Sequence, residues 1–153
     1  KAGADYVQIF ESWASLLDRE DYDNYVIKPN RYISQEIKKF SGQTQIIHFP
    51  RGSGEKYLDF IEEVKCDVIS TDHTCPEQII VKAKEKDLTL QGDLSPLILL
   101  EGGENLNRKT IETLEKYKDN KHIFNLSHGI LPKTPIENVK NTVNLVRNYE
   151  LTK

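Results

Sequence analysis

Methionine is missing from all 153 residues, and cysteine occurs only twice. The chain also opens on Lys1-Ala2-Gly3-Ala4-Asp5 and runs almost at once into an apolar stretch, so the sequence predicts a piece of a larger polypeptide. Long hydrophobic runs are lacking: none approaches the roughly 20 residues that span a bilayer, which excludes a transmembrane helix. No charged region followed by a long apolar one opens the chain, so no secretory signal is predicted. Cys66 and Cys75 form no C-x-x-C pair, which leaves neither a disulfide framework nor a zinc ribbon. Cys66 reads as a small buried hydrophobe, Cys75 precedes Pro76 at a predicted helix start, and a reducing cytosol is the expected compartment. A charge excess of one sign is lacking too. With 21 basic and 24 acidic residues and a net charge of -3, nothing draws the whole chain to nucleic acid or an anionic membrane. A local basic pocket for an acidic ligand remains open.

What is present is a rhythm. Gly3 to Phe10, Thr44 to Phe49, Cys66 to Ser70, Leu88 to Leu90 and His122 to Leu126 are dense in β-formers. Each precedes a stretch with helical spacing: Tyr32, Ile33, Ile37 and Phe40 after Pro29; Tyr57, Leu58, Ile61 and Val64; Ile79, Ile80 and Ala83; Ile111, Leu114 and Tyr117; and Ile136, Val139, Val143 and Val146. Asp18 to Asn24 is acidic and polar and reads as a loop or a frayed turn. Thr74-Cys75-Pro76-Glu77 reads as a capping box, and Thr134-Pro135-Ile136-Glu137 as a helix start with Thr at the N-cap. Five β-α units in one 153-residue domain predict a parallel α/β sheet, either a barrel or an open doubly wound one. In both, chemistry sits in the loops after the strands.

Those loops carry Ser12 and Trp13, Arg51 to Gly54, Asp72 and His73, Gln91 to Asp93, and Asn125 to His128. His128 is the strongest acid-base or carboxylate-binding candidate. Its strand, read as buried, ends abruptly in a polar turn with Gly129 behind it. Gly52-Ser53-Gly54 lacks a complete phosphate-loop pattern but could receive a carboxylate beside Arg51. His48, His73, Cys75 and His128 make a superficial zinc set, yet nothing forces them to converge. A Ser12, His128 and Asp72 triad lacks the G-x-S-x-G elbow; Asp72 serves equally as a helix cap, and Trp13 either closes a pocket or, the default for an indole beside a strand, fills core.

Three separated segments carry a resemblance. Gly3-Ala4-Asp5-Tyr6-Val7-Gln8-Ile9-Phe10-Glu11-Ser12-Trp13-Ala14 resembles the G-A-x-x-x-Q-x-F-[DE]-S-W-A-G segment of the uroporphyrinogen decarboxylase family. Gln91-Gly92-Asp93-Leu94-Ser95-Pro96 resembles its Q-G-N-L-D-P, and Phe124-Asn125-Leu126-Ser127-His128-Gly129-Ile130 its F-N-L-G-H-G-I, with Pro132, Thr134 and Pro135 continuing it. The resemblance implies that residues 1–153 are the C-terminal portion, the last five βα units, of a single (β/α)8 TIM-barrel domain that forms a cytoplasmic homodimer. It implies a lyase of haem biosynthesis that removes carbon dioxide from the four acetates of uroporphyrinogen III, giving coproporphyrinogen III without metal or organic cofactor. In that chemistry a protonated pyrrole carbon serves as electron sink. Ser12 matches a serine that binds a substrate carboxylate, and His128 a histidine that contacts a carboxylate or steers the proton. The family's arginine pair, its pyrrole-binding aspartate and its active-site tyrosine belong to the earlier part of the barrel, so the segment alone is expected to be inactive.

Four positions depart from the pattern: Ser15 for Gly, Asp93 for Asn, Ser95 for Asp and Ser127 for Gly. Ser127 matters most, because a glycine before the histidine can supply backbone angles denied to serine. Two other readings stand beside this one. Cobalamin-linked methyltransferases share the barrel but hold zinc with H-x-C, where this chain has His48-Phe49-Pro50. A non-catalytic scaffold segment is the other.

Overall fold

Strands β1 (Tyr6–Phe10), β2 (Gln45–Phe49), β3 (Val68–Ser70), β4 (Thr89–Leu94) and β5 (His122–Leu126) form one parallel sheet in which spatial order follows chain order. The computed structural model describes residues 3–149. Parallel neighbours need crossovers, and right-handed crossovers that never reverse direction lay every helix against one face. A doubly wound sheet reverses its order at a switch point. This sheet does not, which removes the open doubly wound alternative. The helices are α1 (Arg19–Tyr22), α2 (Lys28–Phe40), α3 (Lys56–Glu63), α4 (Gln78–Glu85), α5 (Pro96–Glu101), α6 (Gly103–Lys116) and α7 (Ile136–Arg147).

The two faces divide by strand alternation. Ile46, Ile69 and Leu90 point under the helices and join Tyr22, Val26, Tyr57, Phe60 and Ile79 in the main core. A second cluster of Leu94, Leu99 and Leu106 packs with Phe124, Leu126 and Val139 beneath α5 to α7. On the opposite face the register sets Gln8 beside Ile47, Ile47 beside Val68, Ser70 beside Gln91, and Gln91 beside Ile123. Strands β1 and β5 are four spacings apart, about 19 Å in a flat sheet. Yet Gln8 and Phe10 of one and Asn125 and Leu126 of the other line a single cleft. The sheet is strongly curled.

Several expectations need correction. Asp18 to Asn24 is not a loop. Asp18 caps α1 by accepting from the Asp21 N–H at 2.9 Å, and a π-helical turn, Asp23–Ile27, joins α1 to α2 without a break. Acidic residues in the first turn favour a helix there instead of opposing it. The apolar stripe of α2 does not face the core: Tyr32 is 64% and Phe40 69% exposed, while Asn30 and Ser34 are buried. The cause is His48 beneath them, which needs polar neighbours. Strand β5 is half exposed because it is an edge of the described sheet, and β4 runs on to Leu94, making Gln91 a strand residue. Neither capping box forms. Helix α4 starts after Glu77 and α7 after Pro135 without side-chain caps, and the Thr134 hydroxyl is buried without a partner. One helix end is closed by tertiary contact instead. Asn138 of α7 donates to Leu99 O at 2.9 Å and Leu100 O at 3.2 Å, and its amide lies where a β-carbon on Gly102 (φ +72°) would sit.

Candidate active site

At the C-terminal end of the strands, on the helix-free face, lies a cleft of about 310 Å³. Gln8, Ser70, Gln91, Asn125 and His128 give it polar groups, and Phe10, Phe49, Leu126 and Ile130 its apolar walls. Strand alternation places Gln8, Ser70, Gln91 and Asn125 on one surface, and the loop after β5 brings His128 to it. The Asn125 Oδ1 accepts from the Leu126 N–H at 2.8 Å, so its NH₂ remains a donor. Gln91 donates to the Ser70 Oγ at 2.6 Å. Among the described residues no aspartate or glutamate lines the cleft, although acidic residues outnumber basic ones in the chain.

The acidic side chains nearest these strand ends are turned elsewhere. Asp72, buried, accepts from the Gly52 N–H at 2.6 Å, the Thr74 N–H at 2.9 Å and the Thr74 hydroxyl at 2.5 Å. It is thus a clamp between the loops after β2 and β3, not an N-cap and not a triad partner for His128. Asp93 accepts from Lys116 Nζ at 2.8 Å and from the Tyr117 hydroxyl at 2.6 Å, on the α6 side of the sheet. Burial pulls the Lys116 ammonium down, but the hydrogen bond to Asp93 together with the charges of Tyr117 and Asp93 outweighs this and holds it above the usual lysine range. Burial, then the Asp93 charge, raises the Tyr117 phenol.

His128 stands exposed at the cleft mouth, its Nδ1 3.5 Å from the Gly129 O. Ser12 is exposed in the loop after β1 and does not line the cleft. The two residues therefore occupy opposite edges of one curled sheet and make no contact with each other. Trp13, expected in the core, is 74% exposed beside Ser12; the core position in this loop is taken by Ala14. Sequence reading named Gln8 only as a motif letter, placed Gln91 in a loop after the fourth strand, and passed over Ser70, which ends a three-residue strand that alternation alone could have oriented.

The superficial metal set does not assemble. His48 is 0% exposed on the helix side, with Nδ1 3.0 Å from the Asn30 Oδ1 and Nε2 2.8 Å from the Ser34 Oγ. Asn30 Oδ1 can only accept, so Nδ1 carries the proton and Nε2 accepts from the serine hydroxyl. Burial, against a nearby Asp67 charge, lowers the His48 pKa to about 4. His73 is exposed, and Cys75 lies half-buried against its own Pro76 O. Burial pushes the Cys66 thiol up to about 12, leaving it an inert part of the core wall. Among the described residues no three His, Cys, Asp or Glu side chains converge on one point.

The four departures from the motif have local explanations. Asp87 is the one non-glycine residue with positive φ among the described residues, so Ser127 sits in ordinary backbone and needs no glycine. Its N–H donates to Leu94 O at 2.9 Å, and its side chain is buried away from the ten residues lining the cleft. Ser95 caps α5 by accepting from the Leu97 N–H at 3.3 Å, work an aspartate does equally well. Asp93 is balanced by Lys116. Ser15 packs on Gly52, where an added β-carbon would lie 2.7 Å from the Ser15 Cβ.

Comparison with known proteins agrees with this geometry. The family profile described as "Uroporphyrinogen decarboxylase (URO-D)" matches residues 1–149. Proteins named uroporphyrinogen decarboxylase from Rickettsia africae (strain ESF-5) and Orientia tsutsugamushi (strain Ikeda) are 40% identical over 150 residues and 42% over 149. These alignments cover 98% and 97% of this chain but 43% of each relative. A third, from Rickettsia bellii (strain RML369-C), is 40% identical over 98% of this chain and 44% of its own length. The chain therefore spans less than half the length of the curated relatives it matches. Three motifs that run off the C-terminal ends of strands in a curled parallel sheet, and a profile match from end to end of the described residues, place the chain in the uroporphyrinogen decarboxylase family.

Proposed function

We propose that these residues supply the last five βα units of a closed (β/α)8 barrel whose intact form decarboxylates uroporphyrinogen III. The product is coproporphyrinogen III, four acetates having left as carbon dioxide. The observation that carries the reading is a donor-bearing cleft without acidic residues, in a member of this family, at the strand ends where parallel α/β domains bind ligands. A substrate with eight carboxylates favours such a surface. The two acids that would repel it, Asp72 and Asp93, are consumed in structural contacts.

The substrate carries its own electron sink once a pyrrole carbon is protonated, so the chain's share of the work is binding and proton placement. Ser12 donates its hydroxyl to one carboxylate at the β1 edge. His128, across the mouth, holds a second carboxylate or steers the proton that replaces carbon dioxide. The walls of Phe10, Phe49, Leu126 and Ile130 seat the macrocycle and keep water away. The intact enzyme works in the cytoplasm as a homodimer without metal or organic cofactor. The 153-residue segment by itself is inactive, since β1 and β5 both present open edges and the barrel half bearing the family's arginines is absent from it. Among the described residues no helix is long and apolar enough to cross a membrane.

The test compares the full-length polypeptide carrying these residues with the 153-residue segment, scoring coproporphyrinogen formed from uroporphyrinogen. Full-length enzyme should turn over without added cofactor, and the segment should not. Replacing Ser12 or His128 by alanine should each lower kcat/KM by roughly 10- to 100-fold, the span for losing a hydrogen bond to a charged group. Absence of turnover by the full-length protein sinks the reading; turnover by the segment sinks its second half.

A further inference from the structure

We propose that Ser70 is a further substrate-binding residue, whose hydroxyl donates a hydrogen bond to a carboxylate of the acidic substrate. The inference rests on the function proposed above and adds a contact that the three motifs do not contain. Ser70 closes β3 on the helix-free face and lines the cleft. Its oxygen is occupied from behind. The Gln91 side-chain amide donates to it at 2.6 Å, and the Gln8 amide approaches from the other side at 3.5 Å.

A hydroxyl has one proton to give and two lone pairs to receive with. With one lone pair filled strongly by Gln91 and the other weakly by Gln8, the proton has to point away from both amides. The strand register shows why it points into the cleft: Gln91 is the direct β4 neighbour of Ser70, and Gln8 reaches over β2 from β1. Among the described residues no acceptor takes that proton. The result is a single aimed donor, strengthened because its own oxygen is already polarised by an incoming N–H. The donor chemistry selects an acceptor, and the absence of any acidic group on the lining selects a negatively charged one. Ser70 is itself buried except where it opens on the cleft, so water competes poorly for the bond.

Steady-state kinetics on the full-length enzyme with uroporphyrinogen test this. Ser70→Ala should raise KM about tenfold and leave kcat within about twofold, because a contact to a carboxylate remote from the reacting carbon is made equally in ground and transition states. Ser70→Thr keeps the hydroxyl and should return KM to within about threefold of wild type. Thermal unfolding of each variant reports whether folding is intact; if Ser70→Ala fails to fold, Ser70→Cys, close in size and a poor donor, is read in its place. An unchanged KM in the alanine variant, a loss confined to kcat, or no recovery with threonine overturns the assignment. A wild-type enzyme without activity would instead overturn the function on which it rests, so the two failures are distinct.

Discussion

Acidifying the protein from pH 7 to pH 4.5 should cost stability through one buried imidazole. His48 is fully enclosed, holds its proton on Nδ1 against Asn30 and accepts from Ser34 at Nε2. A second proton would place a charged ring out of reach of bulk solvent and force the Ser34 hydroxyl to turn from donor to acceptor. Burial therefore lowers its pKa from 6.5 to about 4. The sign follows: between these values the unfolded chain binds a proton and the folded one does not, so stability rises with pH across that window. The contribution is fully present above the unfolded value of 6.5 and is lost as the pH falls toward about 4. At about 1.4 kcal/mol per pH unit the whole window is worth about 3 kcal/mol, and the step from pH 7 to 4.5 about 2 kcal/mol. Urea unfolding at both pH values, followed by far-ultraviolet circular dichroism, measures it; Trp13 is too exposed to serve as a fluorescent reporter. The comparison is His48→Gln, which keeps one donor and one acceptor but cannot titrate. Wild type should lose about 2 kcal/mol more than the variant over that step. Equal losses, or a His48 ring signal titrating near its unfolded value, would refute the account.

Two further outcomes follow from the loops around the cleft. Gly52→Ala should cost about 2–3 kcal/mol in urea unfolding, from a φ of +71° and a β-carbon 2.7 Å from that of Ser15. Adding Ser15→Gly should recover the steric part and leave about 1 kcal/mol of backbone cost, and an additive double variant would contradict the contact. Asp93→Asn keeps an acceptor for Tyr117 but strips Lys116 of its counter-charge. With the lysine partly exposed, the loss should be about 1 kcal/mol, a fall of roughly 2–4 °C in Tm that shrinks in high salt. No salt dependence would mean the ion pair is not the cause.

How far the candidate site could be read beforehand depends on which physical rule each residue obeys. His128 and Ser12 could be named as candidates because they sit in loops, where local sequence is not disguised by packing demands. Ser70, Gln8 and Gln91 were hidden by pairing: each is an ordinary polar residue until the register sets Ser70 beside Gln91 and the Gln8 side chain reaches over β2 toward them. The α2 stripe shows the opposite failure. Tyr32, Ile33, Ile37 and Phe40 have helical periodicity, but the burial rule assumes that the apolar side faces inward, and His48 reverses this by demanding Asn30 and Ser34. Likewise Asp18 to Asn24 looked like a loop because its charges were weighed as solubility, when two of them sit at a helix N-terminus.

By itself the sequence determined the five-fold β-α alternation, the parallel α/β class and the three loop motifs that carry family membership. These depend on periodicity and on short contiguous segments, both of which survive without a third dimension. Only the tertiary structure decided that the sheet is wound in one direction and curled enough for its two edges to line a single cleft. It also decided which acids matter. Asp72 and Asp93 are neighbours of the site in sequence, yet their carboxylates are spent on Gly52, Thr74, Lys116 and Tyr117. A carboxylate's effect on an anionic ligand depends on where it points and what neutralises it, and apart from Thr74 the partners that set both, Gly52, Lys116 and Tyr117, lie 20 or more residues away.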